Sequence, residues 1–102
     1  MQVISAEEVK KRMDNKETLH LVDVREPYEH EEFNIGGVLI PLKKIQSMEI
    51  DELESLKDQE VICYCRSGNR SGQACLLLET AGFSNVKNLA GGMLGWQENF
   101  VK

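Results

Sequence analysis

The chain has 102 residues, 41% of them apolar and 28% charged, with a formal net charge of −5. That length fits one domain with a core of its own, and the composition excludes a globally disordered chain. The acidic balance argues against a nucleic-acid surface, and no apolar run approaches the roughly 20 residues that span a bilayer.

In chain order, Val3-Ile4 reads as a short strand, and Ser5 and Glu8 stand at capping-box spacing before a helix. Val9 and Met13 give that helix an apolar stripe, while Lys10-Lys11-Arg12 is a solvated face, too short for a nucleic-acid patch. The start, Met1 to Arg12, has no apolar core of a secretory signal. "L-H-L-V-D-V", from Leu19, reads as a strand buried on both faces, as in a parallel sheet. His20 within it reads as structural. Pro27 suits the first position of a short helix through Glu32, whose His30 reads as a surface residue. Asn34 to Gly37 is a turn, and Val38 to Ile40 a short strand stopped by Pro41. Ile50 to Leu56 reads as a short acidic helix, and "K-D-Q-E" as a loop.

Val61 to Cys65 is again a continuous apolar strand, broken off by "R-S-G-N-R-S". Ser71 to Ala81 is a helix with Ala74, Leu77, Leu78 and Ala81 on one face, and Gly82 stands at its C-terminal cap. Val86 to Leu89 makes a last strand and Gly92 to Phe100 a last helix. Apolar strands alternating with helices predict an α/β fold: a parallel-stranded central sheet flanked by helices on both faces, in one domain spanning residues 1–102. Ligands in such folds collect at the carboxyl ends of strands, where Cys65 and the Asp23-Val24-Arg25 segment both stand.

Cys65 is the candidate nucleophile. Gly68 and Asn69 tolerate positive φ, so the backbone N–H groups of the loop can turn inward as an anion nest. The helix opening near Ser71 aims its positive end at the same point, and Arg66 and Arg70 add fixed charge. Cys75 reads as core, and so does Cys63. Residues two apart on a strand lie roughly 6.5–7 Å apart at Cα, at or past the reach of an unstrained disulfide, so a Cys63–Cys65 redox pair requires a distorted strand. Three cysteines on a strand and a helix, with His20 and His30 elsewhere, lack the paired spacing of a zinc site, so no metal is expected. The odd cysteine count fits free thiols in a reduced, cytoplasmic protein.

Three segments in order resemble the single-domain rhodanese family: "L-V-D-V-R-E-P-Y-E-H-E-E-F-N-I-G-G-V-L-I-P-L", "V-I-C-Y-C-R-S-G-N-R-S" and "N-L-A-G-G-M-L-G-W". The resemblance implies a sulfurtransferase. Cys65 would take the outer sulfur of thiosulfate or a low-molecular-weight persulfide and carry it as a persulfide in the cradle of Arg66, Ser67, Gly68, Asn69, Arg70 and Ser71. Cyanide, another thiol or a protein sulfur acceptor would then remove it, with no added cofactor. Asp23 and Arg25 would support the loop from behind, with a purely structural salt bridge or turn as the alternative for each. The family often has His where Asn34 stands, a departure confined to a turn. Two alternatives share the fold. One is a sulfur-relay or docking module that discharges to one protein partner. The other is a phosphatase or arsenate reductase, whose Cys, five residues, then Arg pattern is not met, since Arg70 follows Cys65 after only four.

Overall fold

The computed structural model describes residues 1–101. Five strands, β1 (Gln2–Ile4), β2 (Leu21–Asp23), β3 (Val38–Leu39), β4 (Glu60–Tyr64) and β5 (Asn85–Leu89), form one sheet in the order β1-β5-β4-β2-β3. Every pairing is parallel. The helices are α1 (Ala6–Asp14), α2 (Pro27–Glu32), α3 (Leu42–Gln46), α4 (Asn69–Thr80) and α5 (Gly92–Phe100), with a 3₁₀ segment at Asp51–Leu56.

The sheet is sandwiched because its strands are apolar on both sides. Along β4 and just past it, Val61, Cys63 and Cys65 pack with Ile45, Ala74, Cys75 and Leu78 of α3 and α4. Ile62 and Tyr64 point the other way, against Val9, Met93 and Trp96 of α1 and α5. This period of two, with both faces buried, is what a central parallel strand requires. Among the described residues no helix is long and apolar enough to cross a membrane.

Several boundaries differ from expectation. Strand β2 begins at Leu21 rather than Leu19, and β3 ends at Leu39 rather than Ile40. The acidic 51–56 stretch winds as 3₁₀, and "L-K-K-I-Q" forms a helix that the sequence did not announce. Only Ile45 of α3 is buried, so the segment carries too little periodicity to read. Helix α4 starts at Asn69, two residues before Ser71. Asn69 and Arg70 therefore belong to its first turn, leaving Arg66 to Gly68 as the whole of the loop. Ser5 does cap α1, accepting from the Glu8 N–H at 3.0 Å.

Candidate active site

Cys65 follows the last residue of the central strand, and its neighbours there determine the chemistry of its sulfur. Gly68, at φ 112°, turns the chain so that its own N–H donates to Cys65 Sγ at 3.0 Å. Such a φ is strained for any residue with a Cβ. The Ser71 hydroxyl lies 3.3 Å from the same sulfur. A third contribution comes from the far end of the chain. Met93 N donates to Cys65 O and Leu94 N to Arg66 O, each at 2.9 Å. The N–H of a trans peptide points opposite its carbonyl. Holding the Arg66 carbonyl on α5 therefore directs the Ser67 N–H to the sulfur side. Burial pushes the Cys65 thiol up, but the Ser71 hydroxyl and the amides of Ser71, Gly68 and Ser67 outweigh it, so the net shift is downward from 9.0.

Gly92 permits that contact. A Cβ there would stand 2.5 Å from Cys65 O and 2.6 Å from both Arg66 C and O, all backbone atoms that cannot swing aside. Gly92→Ala is expected to cost about 2–4 kcal/mol in urea unfolding and to raise the Cys65 titration midpoint, because the loop peptides lose their anchor. An unchanged urea midpoint would show that α5 tolerates the displacement.

On β5, Asn88 is in register with Cys63, so its side chain shares the face of Cys63 and Cys65. Its Nδ2 donates to Gly68 O at 3.0 Å, and its Oδ1 accepts from Ser71 Oγ at 2.5 Å. Sequence reasoning missed Asn88 and Gly92. The available signal for Asn88 was a polar residue two along from the buried Val86, on what must be a buried face.

Asp23 is fully buried at the end of β2, opposite Tyr64. It accepts from Arg25 N, Nε and an Nη, at 3.0, 2.9 and 2.8 Å, and lies 2.8 Å from His30 Nδ1. Burial pushes its carboxyl up, but the Arg25 guanidinium and then His30 bring it below 3.8. Arg25 also donates to Phe33 O, and its guanidinium lies 5.8 Å from the centroid of the Tyr64 ring. His30, expected at the surface, is instead half-buried because its ring reaches this carboxylate. Arg70 does not point its fork at the sulfur. It binds Glu29 of α2 at 2.8 and 3.0 Å, holding that carboxyl at about 2. Arg66 stands on the wall of a cleft of about 400 Å³ beside the loop, with Arg25, Glu29, Phe33, Met93 and Leu94.

The profile of the Rhodanese-like domain family matches residues 5–99. The chain belongs to the rhodanese-like family. It is 39% identical over 94 residues to a protein of Allochromatium vinosum named "Sulfurtransferase", covering 91% of this chain and 85% of that one. It is 34% identical over 104 residues to "Adenylyltransferase and sulfurtransferase MOCS3-2" of Zea mays, covering 94% of this chain but 21% of that protein. The crystal structure of a rhodanese-like domain protein from Staphylococcus aureus superposes with a TM-score of 0.85 at 26% identity, over 100% of this chain and 97% of that one. These relatives place the chain in a sulfurtransferase class.

Within this rhodanese-like domain the other two cysteines are of a different kind. Cys63 and Cys75 are buried and free. The Cys63 thiol is pushed well above 9.0 by its hydrogen bond with Cys75 and by burial, so it packs as an apolar group. Among the described residues no three His, Cys, Asp or Glu side chains gather as a metal site would.

Proposed function

We propose that this rhodanese-like chain transfers a sulfane sulfur from thiosulfate or a small persulfide to a thiophilic acceptor, through a persulfide on Cys65. The observation that carries the reading is the Gly68 N–H on Cys65 Sγ at 3.0 Å, joined by the Ser71 hydroxyl, in a sheet-end cradle. These are neutral dipoles aimed at one atom, which suits a thiolate or the sulfur next to it. In the first half-reaction the Cys65 thiolate attacks the outer sulfur of thiosulfate. A new S–S bond forms as the old one breaks, its electron pair leaves on sulfite, and the outer sulfur, now bonded to Cys65, keeps the negative charge it had in thiosulfate. In the second, cyanide or a thiolate attacks that outer sulfur, thiocyanate or a new persulfide departs, and the Cys65 thiolate returns. Splitting one transfer into two predicts ping-pong kinetics. Phosphate esters fit poorly, since Arg70 follows Cys65 after only four residues and its fork is held by Glu29, which leaves the three equatorial oxygens of a phosphoryl group without that donor.

A relay role, handing the sulfur to one protein partner, is favoured by the cleft. Its volume of about 400 Å³ exceeds what thiosulfate fills, and Leu94 on its wall is 46% exposed. Such a partner and a cytoplasmic setting belong to this proposal. Intact-mass measurement after thiosulfate treatment is expected to show a gain of about 32 Da, one sulfur atom, on the Cys65 peptide. Cyanide should discharge it. Discharge only by a protein thiol would select the relay, and no adduct with any donor would sink both.

A further inference from the structure

Ser71 has one hydroxyl proton and two groups that want it. Asn88 Oδ1 is 2.5 Å away and Cys65 Sγ 3.3 Å. The Asn88 amide cannot flip to relieve the conflict, because its Nδ2 donates to Gly68 O at 3.0 Å and a flip would set two oxygens together. With Cys65 as a thiol, one chain satisfies every group: S–H donates to Ser71 Oγ, and Ser71 O–H donates to Asn88. With Cys65 as a thiolate, the hydroxyl turns to the sulfur and leaves two oxygens 2.5 Å apart with no proton between them.

We propose that Asn88 is a positioning residue that controls the direction of the Ser71 hydroxyl and, through it, how firmly Cys65 holds a negative charge. Ser71 stabilises the thiolate, and Asn88 limits that stabilisation. The limit is useful, because a thiolate held too firmly is a weaker nucleophile. Once sulfur is loaded, the charge stands on the outer atom, and Ser71 can return its proton to Asn88. The inference takes Cys65 as the reacting sulfur, as proposed above, but concerns its titration rather than its cargo.

A bracing role for Asn88 predicts the opposite result, and the loop has other braces. Gly68 O also accepts from Gly72 N at 3.0 Å, and α5 holds the Cys65 and Arg66 carbonyls. Other groups coupled to the sulfur are the Cys63 thiol on β4 and Arg70 on α4, the latter paired with Glu29 of α2, while Arg66 follows it in the chain. All four stay in place in the variants used.

The test is the pH dependence of Cys65 alkylation in wild type, Asn88→Ala, Ser71→Ala and the double variant. Asn88→Ala should lower the midpoint by about 0.5–1 pH unit, the difference between a neutral and a charge-assisted hydrogen bond. In the Ser71→Ala background the same change should do nothing. A midpoint that stays or rises in Asn88→Ala overturns the proposal, as does a shift that survives without Ser71. Should Asn88→Ala fail to fold, Asn88→Leu, close in volume and without a polar atom, carries the same expectation. The titration needs no sulfur donor, so a failure to load sulfur would sink the proposed function and leave this result standing.

Discussion

Cys65→Ser is expected to reduce sulfur transfer from thiosulfate to cyanide by roughly a thousandfold or more. The reason is the attacking atom. A serine hydroxyl does not ionise near neutral pH, and the cradle's amides supply charge stabilisation without a nucleophile. The fold should survive, because serine fits the volume and can still accept from the Gly68 N–H. In wild type, the rate of the first half-reaction should rise with pH as the thiol ionises. It should level off below the range of an unperturbed thiol, since the loop lowers this one from 9.0. Steady-state assays of both proteins across pH check both statements. A serine variant with even a tenth of wild-type activity would remove Cys65 from the mechanism.

Asp23→Ala is expected to destabilise the domain by about 3–5 kcal/mol, because it leaves the Arg25 guanidinium buried with only Phe33 O as its partner. In urea the midpoint should fall with little change in slope. The acid side follows from the sign of the shift. Asp23 titrates lower folded than unfolded, so its contribution is complete above 3.8 and is lost as pH falls through the folded value. Glu29, held at about 2 against 4.5, adds a loss in the same direction that begins slightly higher. The gap between wild type and Asp23→Ala should therefore begin to narrow below about pH 4 and keep narrowing as pH falls through the folded value of Asp23. A loss of under 1 kcal/mol at neutral pH would mean that Arg25 finds solvent once its partner is gone.

Much of this was legible beforehand for a definite reason. Val61 to Cys65 is apolar without interruption, which only a strand buried on both faces sustains, and the break at Arg66 marks its end. Adjacent strand ends then bring Asp23 and Cys65 together by topology, since β2 and β4 are neighbours. Contacts that depend on a third element were not legible. Arg70 looked like a charge for the sulfur, but Glu29 lies forty-one residues upstream and its position across α4 appears only in three dimensions. His30 looked exposed because nothing in "Y-E-H-E-E" shows that its ring turns inward to a buried carboxylate. Asn88 is a single polar residue in a short strand, and only the β4–β5 register puts it on the sulfur's face. The short α3, with Ile45 alone fully buried, left no period to detect.

The hold of α5 on the Cys65 and Arg66 carbonyls has a consequence for the order in which the molecule is made. A ribosome delivers Cys65 well before Met93 and Leu94, so the emerging chain carries an ordinary cysteine. The Ser67 N–H is set toward the sulfur only when α5 docks. Part of the downward shift of this thiol is thereby tied to the docking of α5.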